Sequence, residues 1–218
     1  KFYLNNKQYG GGYVPFATPI LDLDFQNNFI DKSPSALNMV QGQGLPTFGL
    51  SGRKAGEYCA NFNGSQSIKT TTNLPLNSDK VCVKFWIKTP KPNVAGFVSE
   101  MGIDNINSFA IYMNNINNGV LAGNDRLNAG YNIFNKTIPF NSWEHLIITI
   151  DRTKNGLQTW QVYLNGILQT ILRTQTADTI GNFGNNLFFI GQRGASLGYV
   201  GSLMKYQAFR AVPTDAQA

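Results

Sequence analysis

The sequence predicts an all-β fold in which two antiparallel sheets pack face to face as a β-sandwich. From residue 20 onward, short apolar runs alternate with clusters of Gly, Asn and Pro at roughly even spacing, a pattern typical of sandwiches and barrels. No segment has the periodicity of a long helix. Only 14% of the residues are charged, and polarity comes mainly from Asn, Gln, Ser and Thr, which suit turns and exposed strand faces.

Composition also limits the function classes. The hydrophobic share of 42%, with 15 Phe, is enough for a domain-sized core. The net charge is +6, but the basic residues are spread singly and accompany no nucleic-acid-binding motif, so we expect no nucleic acid partner. No apolar run is long enough to predict a membrane span. Two Cys and one His argue against a disulfide scaffold and a zinc site.

The chain divides into three parts. Residues 1–18 are predicted to be a lead-in arm or linker, because the glycines at 10–12 and Pro15 interrupt any regular element. Residues 19–212 are predicted to form the sandwich, and residues 213–218 a truncated C-terminal extension in which Thr214 opens a helix. Because the chain begins with Lys1 rather than Met, we expect a processed form or a piece of a longer protein.

The strands are predicted from alternation. In the run VCVKFWIK at 81–88, every second residue from Val81 is apolar and the intervening residues are mixed, so this strand belongs at the centre of a sheet. Between the strands at 159–165 and 167–173, the pair Asn165-Gly166 predicts a type I′ hairpin turn. The other predicted strands are 20–25, 57–62, 80–88, 96–101, 108–114, 143–151, 186–191 and 198–210.

Several segments occur in an order that resembles the concanavalin A-like lectin/glucanase superfamily, in particular its laminin G-like and pentraxin-like members. Any one of them is common by chance, but their order and spacing over residues 20–212 are specific. They are LDLDF at 21–25 with DKSP at 31–34, ANFNG at 60–64, VKFWIK at 83–88, SWEHL at 142–146, VYLNG at 162–166, FIG at 189–191 and YVGSL at 199–203.

The resemblance implies a jelly-roll sandwich whose first and last strands are neighbours, here 21–25 and 202–209. A pentraxin-like disulfide would join Cys82 to a cysteine just before Trp143, but residues 139–142 contain none. Cys59 is the alternative partner of Cys82. A cross-strand bridge and two buried free thiols both remain open.

The resemblance also implies a test for catalysis. Hydrolases of this fold carry acidic residues at alternate positions of one strand, because retaining cleavage needs two carboxyl groups about 5 Å apart. Glu100 is followed by no such arrangement, and Glu57 and Glu144 are isolated in the sequence. We therefore predict that the protein is not an enzyme.

Sugar binding needs an exposed aromatic ring with planar polar groups beside it. The strand pattern assigns Trp86, Trp143 and Trp160 to core or sheet-packing positions, so other residues near loops and strand ends become the candidates. The predicted ligand-binding residues are Tyr112, Asn124, Asp125, Arg126, Tyr131 and Arg193.

Calcium is the candidate cofactor, because members of this superfamily often hold it through Asp, Asn and backbone oxygens at a sandwich edge. Asp104 and Asp125 are the predicted metal ligands, with Asn105, Asn124 and Asp151 as further candidates. The competing interpretation is that these Asn-Asp pairs are ordinary turn residues.

The leading hypothesis is a non-catalytic carbohydrate-binding or adhesion domain of a larger extracellular, cell-surface or virion protein, with a glycan or surface polysaccharide as partner. The alternative is a structural or protein-interaction domain, such as a phage capsid or tail decoration or a domain spacer. A polysaccharide hydrolase or lyase ranks third, since it requires distant acidic residues to meet in space.

Overall fold

The fold is given by a computed structural model. It describes residues 16–90, 95–102, 107–114, 120–127, 130–154, 159–175, 180–192 and 197–213. Within these ranges the regular elements are all strands. Among the same residues, no helix has the length and apolar character needed to cross a membrane.

Sheet A contains both the first and the last strand of the described residues. Its strands pair antiparallel, and β1 (Leu21–Leu23) pairs with β16 in addition to the main order. That order is β13 (Ile167–Leu168), β12 (Trp160–Leu164), β11 (Glu144–Asp151), β6 (Lys80–Lys88), β16 (Val200–Phe209), β4 (Cys59–Asn63) and β3 (Thr47–Gly49).

Sheet B packs against sheet A and is also antiparallel throughout. It confirms the predicted two-sheet sandwich. Its order is β14 (Leu172–Gln175), β10 (Gly130–Thr137), β9 (Val120–Leu127), β8 (Ser108–Asn114), β7 (Gly96–Met101), β15 (Phe188–Ile190), β5 (Ile68–Thr70) and β2 (Met39–Gln41).

The core lies between the sheets and is built from alternate residues of each strand, as the sequence predicts. On β6, Val83 and Phe85 are at most 2% exposed and face inward. The ring of Phe85 stacks on Tyr206 of β16 at 5.2 Å between centroids. The Tyr206 hydroxyl donates to the Oγ of Ser99 on β7 at 2.7 Å, so a buried hydrogen bond also joins the two sheets.

The neighbouring first and last strands are confirmed by the register, which pairs Leu21 with Ala208. β16 bends to reach this partner. Its pairing with β6 shifts register between Met204 and Gln207, and Lys205 has a φ of 52° within that bulge. Before the bulge β16 pairs with β4, and after it β16 pairs with β1.

The predicted strands at 80–88, 96–101 and 108–114 have the bounds that the structure gives to β6, β7 and β8. The single strand predicted at 167–173 is wrong. It is two short strands, β13 in sheet A and β14 in sheet B, because the chain crosses between the sheets at this edge. The Asn165-Gly166 turn is confirmed by its two positive φ angles and by the pairing of Leu164 with Ile167.

Five further strands, β2, β3, β5, β9 and β10, were not predicted. The first three have only three residues each, which is too few to show an alternating apolar pattern. β9 and β10 are rich in Asn and Gly, the residues that indicate turns.

Both cysteines are buried free thiols, so of the two alternatives the disulfide is excluded. Cys59 lies on β4 and Cys82 on β6, with β16 between them. Two strand spacings amount to about 10 Å, which exceeds the Cα separation that a disulfide spans.

The end of the predicted lead-in arm contacts sheet A. Phe16 lies 4.9 Å from Phe209 between ring centroids, and Ala17 packs beside it on the outer face of the sheet. Residues 1–15 and 214–218 lie outside the described residues, and so does the predicted helix start at Thr214.

A glycine contact joins the ends of the two sheets. Gly64 follows β4 of sheet A, and Gly96 opens β7 of sheet B. Gly198 lies between them, so a Cβ at Gly198 would overlap the carbonyl of Gly64, and one at Gly96 would overlap the backbone of Gly198. The backbones therefore approach more closely than any side chain permits.

We expect Gly198→Ala to lower the free energy of unfolding by about 2–3 kcal/mol, because the backbone must shift to make room for a methyl group. Urea denaturation measures the change. Gly56→Ala is the control, since Gly56 has a positive φ of 82° but open space around it, and backbone strain alone costs about 1 kcal/mol. Equal losses in the two variants would contradict the role of the contact.

Candidate functional site

Of the predicted ligand-binding residues, Tyr112 has a described side chain. It is half-buried on the outer face of sheet B, and its ring lies 5.2 Å from Phe97 between centroids. The neighbouring side chains on this face expose little area. Phe97 is 6% exposed, Glu100 3% and Ala110 1%, so in its described part this face offers a ligand few atoms beyond the ring of Tyr112.

Asn124, Arg126 and Tyr131 are described through their backbone only. The register pairs Asn124 with Ala110, and it pairs Arg126 with both Ser108 and Tyr131. These positions alternate with the same phase as Tyr112, so the topology brings three predicted residues to the face that Tyr112 occupies. Their role stays a prediction.

Asp125 falls on the opposite set of positions, because it pairs with Phe109, whose ring is in the core. Asp104, Asn105 and Arg193 lie outside the described residues. Asp151 holds a turn, since its carboxylate accepts the backbone N–H of Thr153 at 3.0 Å. Within the described ranges no three acidic, Cys or His side chains cluster as metal ligands, so a calcium site at Asp104 and Asp125 also stays a prediction.

A pocket of about 490 Å³ opens at the edge of the sandwich, where β3 ends sheet A and β2 ends sheet B. We call it the edge pocket. Its volume is typical of small-ligand sites. The lining residues come from the loop between β1 and β2 and from the two edge strands: Asn27, Asn28, Phe29, Ile30, Asp31, Ala36, Leu37, Asn38, Met39 and Phe48.

The apolar wall of the edge pocket is an aromatic pair. The rings of Phe29 and Phe48 stack at 5.6 Å with an interplanar angle of 28°. Both side chains are half-buried, and both pack against the core cluster. Ile30 extends this surface, with 64% of its area exposed.

Asp31 fixes the loop between β1 and β2, which forms the floor of the edge pocket. Its buried carboxylate accepts four hydrogen bonds of 2.8–2.9 Å, from the backbone N–H groups of Asp22, Ser33 and Leu37 and from the Ser33 hydroxyl. The acceptor sites of the Asp31 carboxylate are therefore occupied by hydrogen bonds within the fold. The remaining lining side chains are uncharged, which favours a neutral ligand.

Two amides on the rim are open to a ligand. Asn27 and Asn38 are exposed, and in the part of the chain that the structure describes their side-chain amides form no hydrogen bond. Asn28 differs, because its amide group donates to Gln26 O at 2.9 Å and accepts from the N–H of Ile30 at 3.0 Å. A sugar can bind here with its C–H face against the aromatic ring and its hydroxyls hydrogen-bonded to the two free amides.

Sequence reasoning missed the edge pocket. The run Asn27 to Ile30 directly after a strand was the available signal, since an exposed Ile beside a Phe in an Asn-rich loop is unusual. Phe48 and Asn38 join it only through tertiary structure.

The sequence assigns all three tryptophans to core or sheet-packing positions, and the core interpretation is correct for Trp160, which is 1% exposed. It is wrong for Trp86 and Trp143, which are half-buried. Trp86 shares the outer face of sheet A with Lys84, because both alternate with the inward Phe85. Trp143 precedes β11, and its indole N–H donates to Ser51 O at 3.2 Å.

Trp86 is part of a basic–aromatic cluster formed by Arg53, Lys84, Trp86 and His145 on the outer face of sheet A. The register places His145 of β11 opposite Trp86 of β6, and their rings lie 4.9 Å apart. The Arg53 guanidinium lies 4.4 Å from the centre of the Trp86 ring, a cation–π distance. Burial, together with the smaller effect of the positive charges of Lys84 and Arg53, lowers the pKa of His145 to about 4.

The comparisons with known proteins identify the family. A laminin G-like family model of the concanavalin A-like lectin/glucanases superfamily matches residues 62–218, and the chain therefore belongs to this family. Among the curated proteins, none matches this sequence.

Solved structures share the fold at low identity. The receptor-binding domain of botulinum neurotoxin type G has a TM-score of 0.67 and 16% identity, covering 92% of this chain and 50% of that one. The binding domain of Paraclostridial mosquitocidal protein 1 has a TM-score of 0.67 and 16% identity, covering 91% and 50%. This chain therefore spans about half the length of these toxin domains.

Domain 4 of AbnA, an extracellular arabinanase of Geobacillus stearothermophilus solved in complex with arabinotriose, has a TM-score of 0.66 and 16% identity, covering 93% of this chain and 97% of that domain. The likeness thus extends over the whole of that domain. At this identity all three comparisons establish a shared fold.

We expect His145 to make the protein less stable as the pH falls from about 7.5 to 5. Its native pKa of about 4 is below the ordinary 6.5, so the unfolded chain takes up the proton first, and about 2 kcal/mol of unfolding free energy is lost over this range. His145→Gln should remove that part of the pH dependence in urea denaturation. Parallel pH profiles for the two proteins would contradict the assignment.

Proposed function

We propose that this chain is a non-catalytic carbohydrate-binding domain and that the edge pocket holds the sugar. The observation that carries the proposal is the stacked pair of Phe29 and Phe48 beside the unpaired amides of Asn27 and Asn38. This combination supplies an apolar face and neutral hydrogen-bonding groups in one concave site. An uncharged or weakly polar saccharide fits it better than an ion does.

The likeness to an arabinanase domain that was solved with arabinotriose supports the ligand class. The extracellular source of the arabinanase supports our further proposal that the domain belongs to a larger extracellular, cell-surface or virion protein. The limits of the domain at 19–212 are proposed with it.

The absence of catalysis is proposed from the surroundings of Glu100. Its cross-strand neighbours in sheet B are Phe189 and Ala110, and neither carries a carboxylate. A glycosidase needs a second carboxyl group at about 5 Å or more, together with an open cleft. Glu100 is 3% exposed, so substrate access to it is poor.

A protein-interaction role is the second candidate, and one observation favours it. At the edge where β13 and β14 end the two sheets, Ile167, Leu168 and Leu172 are 66%, 51% and 76% exposed. Exposed apolar residues on edge strands are typical of contact surfaces. If this edge binds protein, Leu172→Lys should abolish capture of the partner while leaving sugar binding unchanged.

We expect Phe29→Leu and Asn38→Ala each to weaken saccharide binding about three- to tenfold, since one loses the stacking face and the other a hydrogen bond. Calorimetry with arabinotriose and with xylan, cellulose and mannan oligosaccharides measures the affinities.

The matched controls are Phe140→Leu, a half-buried Phe that also packs against the core, and Asn185→Ala, an exposed Asn away from the edge pocket. Both should bind as the unmodified protein does. The proposal fails if no oligosaccharide binds at millimolar concentration, or if the pocket variants bind like the controls.

A further inference from the structure

The basic–aromatic cluster on the outer face of sheet A contains two cationic side chains, Arg53 and Lys84, whereas the edge pocket offers a ligand uncharged side chains. Arg53 is exposed, and its guanidinium carbon lies 4.4 Å from the centre of the Trp86 ring, a contact that restrains the guanidinium. In the described part of the chain no carboxylate forms an ion pair with Arg53. The N–H groups of the guanidinium are therefore held in place by Trp86 and remain available to an anion.

Two carboxylates near the cluster accept hydrogen bonds from groups outside it. Asp22 accepts a hydrogen bond from Gln207 at 3.0 Å, and Glu57 accepts one from the backbone N–H of Lys54 at 3.1 Å. Neither of these two carboxylates forms an ion pair with Arg53, and the exposed Lys54 is next to Arg53 in the loop.

The strands hold this arrangement in place. Trp86 and His145 are cross-strand partners on two central strands of sheet A, and the backbone N–H of His145 is bonded to the Asn165 side chain at 2.9 Å. Trp86 is therefore a fixed support for Arg53. A pre-positioned cation loses little side-chain entropy when an anion binds, so its gain in affinity is larger than that of a mobile surface Lys.

We propose that the basic–aromatic cluster is an anion subsite that binds the carboxylate or sulfate group of an acidic saccharide through Arg53. The inference rests on the proposed function for the choice of a saccharide. Nucleic acid fits less well, because phosphate tracking needs a groove of several open cations and successive stacking rings. The site distinguishes acidic glycans from the neutral units that the edge pocket accepts.

Calorimetry with three trisaccharides tests the proposal: a neutral one, one made of uronic acids and one that is sulfated. We expect the acidic ligands to bind about tenfold more tightly than the neutral one, the gain of one charge-assisted contact. This preference should fall as the salt is raised from about 0.05 M to 0.5 M. The two acidic ligands show which anion the cluster prefers.

Arg53→Ala should reduce the acidic-to-neutral ratio to about one, and Arg53→Lys should restore part of it because Lys keeps the charge without the planar fork. Lys154→Ala, which removes an exposed cation from the turn after β11, should leave the ratio unchanged. Arg53→Gln is a second neutral variant, and unfolding midpoints show that each variant is folded.

The Phe29→Leu variant separates this proposal from the proposed function. If the edge pocket binds sugar, Phe29→Leu weakens binding of the neutral ligand, and Arg53→Ala leaves the affinity for that ligand unchanged. If Phe29→Leu has no effect while Arg53 still sets the ratio, the edge pocket is wrong and the anion subsite stands. An unchanged ratio in Arg53→Ala would overturn the subsite, as would tighter Arg53-dependent binding of a short DNA duplex or of anionic lipid vesicles.

Discussion

The pairing of β16 with three other strands is the interaction on which the rest of the structure depends. β16 lies between β6 on one side and both β4 and β1 on the other, and a bulge at Lys205 lets it change partner. Its Tyr206 also stacks on Phe85 and bonds to Ser99 in the opposite sheet. Because the last strand must find the first, the sandwich closes only when nearly the whole chain is present.

The edge pocket follows from this closure. β16 places β1, and the backbone N–H of Asp22 in β1 is held by Asp31. Asp31 then fixes the loop that carries Phe29 beside Phe48. The basic–aromatic cluster also depends on strand pairing in sheet A, because the register between β6 and β11 brings Trp86 and His145 together. Sheet A thus contributes to the edge pocket and carries the basic–aromatic cluster on its outer face.

The sequence predicts the fold better than the site, and the reason is the range of the interactions. Alternation along 81–88 is local, so the central strand and its inward face are readable directly. Phe48 and Asn38 lie on different elements from Phe29 and meet it only at a sheet edge. Trp86 alternates in phase with Lys84, so the same local pattern places it on the mixed face of β6, which the structure turns away from the core. Short strands such as β2 carry too few residues to show alternation.

An amide NMR titration with arabinotriose or the tightest-binding oligosaccharide is the most direct test of whether a sugar occupies the edge pocket. If the sugar binds there, the largest chemical-shift changes fall on the backbone amides of Asn27, Phe29, Asn38 and Met39, with small changes around Tyr112 on sheet B. Shifts centred on the strands that carry Tyr112, with the loop after β1 unaffected, would contradict it.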